Sequence, residues 1–376
     1  MKKLIKIVVL SMLASSFGVA FANDFSVWVA PEYTLKNGSF SQTVKDNRDK
    51  VISSKDFDEA FISHIGIDGG FAWRFLSIQS ELDWGIPKGC GNIHYERFSG
   101  VNMDILTEQR EYDAKFSAEN ISVDTKVQGD IPVIRGWLNI QPYLGFKYSF
   151  AKYEGNFLNG RKGYSDKYDM RLSAYGDKYA WEQNTTEIND GRDIWLKREV
   201  YDIKLGTIVH GVLFDRAFVD LEASVSPFTF INSKEYNGIQ AYYLDRMNGF
   251  FKNWTIGAGT GVYLGKQKEF EIGLKFKYNI LNSISGKSYK SSSENSGFER
   301  EKEGVYTHTD ATTGNSYTET LYGAYGWTES KSWQLSIYGK YTFTFGPTHT
   351  PRARVAREKK EKAPKVRDGK VNVKVY

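Results

Sequence analysis

Apolar and polar residues alternate with a period of two along several stretches of this chain. Leu76, Ile78, Leu82 and Trp84 share one side of a segment whose other side carries Ser77, Gln79, Glu81 and Asp83. After Pro142, Leu144, Phe146, Tyr148 and Phe150 oppose Gly145, Lys147 and Ser149. Ala217, Val219, Leu221, Ala223 and Val225 oppose Asp220, Glu222, Ser224 and Ser226, and Ile272–Ile280 alternates with Glu271, Gly273, Lys275, Lys277 and Asn279. The last and clearest run sets Trp333, Leu335, Ile337, Tyr341, Phe343 and Phe345 against Gln334, Ser336, Lys340, Thr342 and Thr344. Successive strand side chains point to opposite faces, so each run is a strand with one oily and one polar face. A soluble half-buried strand also alternates. Here, however, the charged residues Asp83, Lys147, Asp220, Lys275 and Lys340 fall in mid-strand, where a wet lumen would receive them. Trp and Tyr gather towards strand ends, as in the aromatic girdles of a membrane barrel.

The pattern predicts an all-β fold, a transmembrane antiparallel up-and-down barrel of ten strands. They are placed at 26–37, 55–74, 76–87, 115–139, 141–156, 192–211, 214–231, 240–264, 267–286 and 331–346. Tight turns are expected near 75, 140, 212 and 265. The links at 38–54, 88–114, 157–191, 232–239 and 287–330 are mostly long and polar. Short periplasmic turns and tall extracellular loops are the usual asymmetry of such barrels, and an even strand count returns both ends to the periplasm. Val305–Thr309 and Ser316–Leu321 flank a turn-rich hexamer, residues 310–315, and read as a hairpin.

Composition adds the compartment. Lys2, Lys3 and Lys6 precede an apolar run from Ile7 to Leu13, and Ala20-Phe21-Ala22 supplies a small-x-small step, so residues 1–22 read as a signal peptide cleaved after Ala22. Beyond it no apolar run reaches the ~20 residues of a spanning helix. The mean hydropathy is −0.48, yet 15% of residues are aromatic and there are 35 Gly. Export to the bacterial outer membrane accounts for this combination.

Charge concentrates at the ends. The tail from Pro347 to Tyr376 holds ten Lys/Arg against three Asp/Glu, and removing its +7 and the leader's +3 from the overall +5 leaves −5 for the body. Domain limits follow: leader 1–22, barrel 23–346 and a basic, flexible periplasmic tail 347–376, which suits anionic wall polymer or membrane surface. Cys90 is the only cysteine, so no disulfide framework exists. No metal-ligand cluster, phosphate loop or nucleophile elbow occurs, and neither cofactor, metal nor nucleic-acid partner is expected. The expected partners are outer-membrane lipid and an extracellular protein or glycan held by the loops. The stretches Tyr164–Tyr179 and Tyr242–Lys252 mix Tyr with Lys, Arg and Asn, a composition suited to adaptable recognition.

Ten long strands with five tall loops resemble the omptin family of outer-membrane proteases and the related Opc-type adhesins. Tyr33–Gly38, then Ser54–Asp58, a tight turn into Ile78–Trp84 and the glycine-rich Gly85–Asn92 are similar to the family's opening segments. Gly136-Trp137-Leu138 resembles a Gly-Trp-Leu of the family's fourth strand, and Gly339–Phe343 resembles its last strand. The resemblance implies peptide cleavage by a water held between an Asp pair and an Asp-His pair. An imidazole oriented by a carboxylate takes the proton of that water. The residues at those positions differ. The Asp-x-Asp expected after Gly91-Asn92 is matched by Tyr95 and Arg97, or one place earlier by His94 and Glu96. The Asp-x-His stretch is matched by Ile231–Tyr236, with Ser233 and Glu235 but neither Asp nor His, and no histidine lies between His210 and His308.

The resulting expectation is an omptin-like barrel without catalytic residues, whose loops serve adhesion or ligand binding. The alternative is an omptin-type endopeptidase with a rearranged site, which needs His94 and Glu96 to meet Glu235 or His308 across the mouth. His64 is expected in the lumen beside a hydrogen-bonding neighbour. Glu81, Asp83, Asp220, Glu222 and Glu271 are expected to pair with Lys147, Lys204, Lys275, Lys277 and Lys340 as a plug of charge that obstructs free conductance.

Overall fold

The computed structural model describes residues 25–86, 88–101, 105–164, 185–188, 193–236, 242–291, 297–300, 303–309 and 316–345. The leader, the tail, the hexamer 310–315 and most of Tyr164–Tyr179 lie outside the described residues. By its internal contacts the chain divides into a barrel unit, Ser26–Phe343, and a terminal unit of residues 1–25 and 344–376.

The strands run in order as β1 (Phe25–Lys45), β2 (Val51–Trp73), β3 (Leu76–Gly85), β4 (Lys88–Val101), β5 (Ile105–Gly129), β6 (Ile131–Ile134), β7 (Leu138–Tyr164), β8 (Thr185–Ile188) and β9 (Asp193–Leu213). They continue as β10 (Ala217–Tyr236), β11 (Tyr242–Gly249), β12 (Asn253–Leu264), β13 (Phe270–Ser291), β14 (Glu299–Arg300), β15 (Glu303–Thr309), β16 (Ser316–Tyr322) and β17 (Tyr325–Phe345). Each long strand pairs antiparallel with its sequence neighbour, and β17 returns beside β1 to close the sheet. β3 and β4 form one interrupted stave, as do β11 and β12, so the wall has ten staves. Closure leaves no open edge, which hydrocarbon does not tolerate.

The staves are taller than the alternation suggested. Residues 38–45, 51–54, 88–101, 105–114, 157–164, 232–236 and 287–291 are sheet, not loop. The β15–β16 hairpin forms as expected, with Thr309 opposite Ser316. The turn expected near 140 sits earlier, at 135–137, where Gly136 takes a φ of 82°. The resembling Gly136-Trp137 therefore lies in a short turn at the lower end, with Trp137 63% exposed, and not within a strand.

Two different interiors account for the extra height. In the lower half the outer wall carries Ile65, Ile67, Leu144, Phe146, Leu221, Ile256, Leu274 and Ile337, all exposed, while the lumen is ionic. This is the inside-out pattern of a sheet solvated by lipid. In the upper half the order reverses. Phe40, Phe57, Ile93, Tyr95, Phe116, Tyr153, Ile194 and Leu196 point inward and form one buried cluster. Ile231, Met247, Leu281 and Ile284 form a second. Phe57 stacks on Phe40 with ring centroids 4.2 Å apart and meets Phe116 edge-on at 5.8 Å. The upper half is built like a water-soluble barrel, with apolar residues inside.

The two regimes meet at a waist of irregularities. Phe61 takes a φ of 47°. Above it Lys55, Phe57 and Glu59 are buried, and below it Ile62 and His64, so the inward set changes from odd to even numbers. The register also shifts between Val225 and Phe228 and between Leu281 and Ile284. These sites adjoin: Phe251 N–H donates to Ser226 O, and Asn282 N–H to Lys252 O. Each bulge inserts an unpaired residue and flips the facing of the strand residues beyond it.

The lumen below the waist is ion-paired. Lys126 Nζ lies 2.7 Å from Glu222, Lys204 Nζ 2.7 Å from Asp124, Lys277 3.2 Å from Glu81, and Lys340 3.1 Å from Glu271. Lys275 reaches Glu32 at 3.2 Å. Asp83 and Asp220 differ from the expected Lys pairing and bond to His64 at 2.8 Å and His210 at 2.7 Å. This ionic layer separates a lower cavity of about 390 Å³, which reaches the turn residues Arg74 and Phe75, from an upper one of about 140 Å³.

Candidate functional site at the upper mouth

The mouth is where the omptin resemblance would place chemistry. Inward positions of six strands converge there: Gln42 from β1, Lys55 from β2, Tyr95 from β4, Ser233 and Glu235 from β10, Asp245 from β11 and Ser288 from β13. Lys55 Nζ bonds Glu235 Oε1 at 2.5 Å, across 180 residues of sequence. The same ammonium lies 4.8 Å from the centre of the Tyr95 ring. Gln42 Nε2 donates to Asp245 Oδ2 at 2.6 Å. Asp245 faces Ser233 on one side and Ser288 on the other in the sheet registers. On β17 Gly326 leaves space for it, since a Cβ there would come within 2.7 Å of Asp245 Cγ.

None of these groups meets water. Glu235 is 1% exposed, Lys55 2%, and Ser233 and Asp245 0%. Burial pushes the Asp245 carboxyl up to about 7, and the charge of Glu235 adds to the push; contacts to Ser288 and Gln42 and the charge of Lys55 pull the other way. The arrangement is chemically suited to holding strands together and unsuited to receiving a substrate.

The residues singled out from the sequence fall into two groups. Tyr95, Ser233 and Glu235 are inward and come together around Lys55 and Asp245. His94 and Glu96 alternate to the outer face of β4, where His94 Nε2 lies 3.7 Å from Glu96 Oε1 on the same strand. Their neighbour Asp56 is directly opposite His94 in the register. Partial burial raises the Asp56 carboxyl; His94 opposes this, while Asp58 and Glu329 add to it. The backbone of Arg97 lies opposite Ser53, and its side chain is outside the described residues, as is that of His308. Among the described residues no histidine joins a carboxylate across the mouth: His64 and His210 belong to the lumen below. Lys55, Asp245 and Gln42 carried no sequence motif. Their signal was the alternation Ser53-x-Lys55-x-Phe57-x-Glu59, which lies at the start of the strand expected at 55–74 and carries its inward face up to Ser53.

The outer face of the upper wall is solvent-facing and distinctive. Trp195, Tyr236 and Tyr242 lie in one row across β9, β10 and β11, with Trp195–Tyr236 and Tyr236–Tyr242 centroids 6.4 and 4.8 Å apart. Lys197 lies 4.5 Å over Trp195, Lys234 5.1 Å over Phe298, and Arg246 5.5 Å over Tyr289. A second aromatic row, Tyr148–Tyr201–Phe230, runs below it.

The sequence matches no family model and no curated protein. Among solved structures, the chain is similar to the outer membrane protease OmpT from Escherichia coli, with a TM-score of 0.57 and 13% identity over 86% of this chain and 98% of that one. At that identity the likeness speaks for the fold. Neisserial surface protein A (8% identity, 84% and 97% covered) and OprG from Pseudomonas aeruginosa (11%, 86% and 96%) both align with TM-scores of 0.25, too low to carry an argument. The chain has the fold of bacterial outer-membrane β-barrels, which supports an outer-membrane location.

Proposed function

We propose that this protein is a non-catalytic, surface-exposed outer-membrane barrel whose upper wall and loops attach to an extracellular protein or glycan. The observation that carries the reading is the filled mouth: among the described side chains at the omptin-like positions, Tyr95, Ser233 and Glu235 are sealed in a dry core and His94 and Glu96 are turned to the outer wall. Hydrolysis needs a water, a base and a carbonyl within hydrogen-bond reach of one another. A site 0–2% exposed offers none of that access. The outer aromatic row flanked by Lys197 and Lys234 offers broad apolar faces with cationic rims, the surface that binding needs. The partner's chemistry on this reading is a sugar or protein surface with some negative charge. The basic tail adds a second contact, to anionic wall polymer or a membrane surface.

The full chain, refolded in lipid nanodiscs, is tested against an array of neutral and acidic glycans and against immobilised extracellular-matrix proteins. Binding that weakens at least tenfold on combining Trp195→Ala with Tyr236→Ala supports the reading. Cleavage of dibasic peptides by the same preparation, lost on His94→Ala, would replace it with the endopeptidase.

A further inference from the structure

The dry layer at the mouth has an unbalanced charge. Glu235 and Asp245 are both carboxylates, and Lys55 is the cation in contact with them. Arg198, opposite Ser233 on β9, lies over the Phe40 ring and reaches Thr328, and its charge is engaged with Glu59 and Asp202. Lys290, opposite Tyr243 on β13, is exposed at the rim. Tyr95 from β4, Gln42 from β1, Tyr243 opposite Glu235 on β11, and Ser233 and Ser288 from the flanking strands are neutral, and β17 presents Gly326 and Thr328. With both carboxylates ionised, the two share one contacting cation in a region closed to solvent, where an uncompensated buried charge is strongly disfavoured. Glu235 Oε2 and Asp245 Oδ1 are also left without hydrogen-bond partners among the described residues. One positive charge is missing, and it must be small. Lys55 Nζ already occupies the approach to Glu235 at 2.5 Å, which leaves poor accommodation for a metal ion with its ligand shell.

We propose that the Glu235–Asp245 pair is a proton-binding site, with the proton on Asp245, and that this proton latches the extracellular half of the barrel shut. With it, the layer is neutral (one ammonium, one carboxylate, one carboxylic acid) and Asp245 gains the donor that one of the orphaned oxygens lacks. Without it, two carboxylates on adjacent strands β10 and β11 repel across a single lysine. The elevated Asp245 carboxyl agrees with this assignment.

The sign follows from linkage. The group titrates near 3.8 when the chain opens and near 7 when it is closed. The closed form therefore retains a proton that the open form releases, so closure is most favoured below pH ~4 and weakens by at most about tenfold per pH unit up to ~7. Above that the latch no longer holds. Attachment of any ligand to the outer wall is not required for this behaviour.

The test is hydrogen exchange of the full chain in nanodiscs, read at Tyr242–Gly249 and at the upper end of β10, and corrected for the intrinsic pH dependence of exchange. Wild type is expected to open at least tenfold more often at pH 7 than at pH 5. Asp245→Asn is expected to be flat across the interval. Glu235→Gln moves the transition to lower pH, because Asp245 then becomes the sole counterion of Lys55. If Asp245→Asn does not fold, the infrared carboxylic-acid stretch of wild type serves instead: a buried protonated carboxyl present at pH 5 and bleached by pH 8. A flat wild-type profile, an Asp245→Asn profile as steep as wild type, absence of the acid band at pH 5, or closure that tracks sodium concentration instead of pH overturns the proposal.

Discussion

Removal of one ring tests whether the upper half really has a core. Phe57 is 1% exposed and touches Phe40, Phe116 and Tyr153, with centroids 4.2, 5.8 and 5.4 Å away. Phe57→Ala loses the transfer free energy of the ring and leaves a cavity that sheet on all sides prevents from collapsing. Such truncations cost about 3–5 kcal/mol, and with three aromatic neighbours (each such pair contributing about 0.5–1.5 kcal/mol) the upper part of the range applies. A loss of ~4 kcal/mol is close to a thousandfold in the opening equilibrium. The loss is local, because the lower half is held by lipid and by its own ion pairs. Limited proteolysis of nanodisc-embedded protein is therefore expected to cut the upper parts of β2, β4, β5 and β7 far faster in the variant, while the lipid-embedded fragments stay protected. A change under about 1 kcal/mol would mean the ring lines a wet cleft, and the account of the mouth would be wrong. Cooperative loss of the whole barrel would refute the two-interior description.

The buried pair gives a second contrast. Lys55→Met alone is expected to cost about 3–5 kcal/mol by stranding the carboxylate of Glu235, whereas the apolar double replacement Lys55→Met with Glu235→Leu is near neutral; urea unfolding of the upper half checks the sign of the coupling. In planar bilayers the wild-type protein is expected to show no steady conductance, since an ionic layer and a dry core lie in series; stable open-channel steps refute that. Dibasic peptides are expected to survive incubation, and His94→Ala to leave every readout unchanged, because that ring sits on the outer wall.

The lower half was legible because lipid imposes a simple rule, apolar out and polar in, and Leu144-x-Phe146 or Leu335-x-Ile337 obey it without interruption. The upper half was not, for two reasons. Its outward residues are polar, so Asn232 and Lys234 look like loop in one dimension. Its bulges at Phe61 and near Pro227 break the period just where the solvent changes, so neither face can be extrapolated from below. The ion pairs were legible as a set and not as partners: which lysine meets Glu222 is fixed by the stagger of the staves, and Lys126 on β5 reaches it ahead of the candidates read from the sequence. Candidate positions such as Tyr95 and Glu235 were found through resemblance to omptins, but Asp245 could not be, because the sheet alone brings it beside them.

The waist imposes a rule of parity on how this chain can change. In a stave without a bulge, one inserted residue exchanges every inward side chain beyond it for its outward neighbour, which would send the ionic residues into lipid and the aromatic core into water. Insertions within a stave are thus tolerated in pairs, or singly only where an existing bulge is lost in exchange. Between staves, at 46–50 or 165–192, any number is allowed. A lineage of this barrel should accordingly vary in loop length by odd and even steps alike, while its walls keep count modulo two, and the residue at Phe61 should come and go only together with a compensating gap in the same strand.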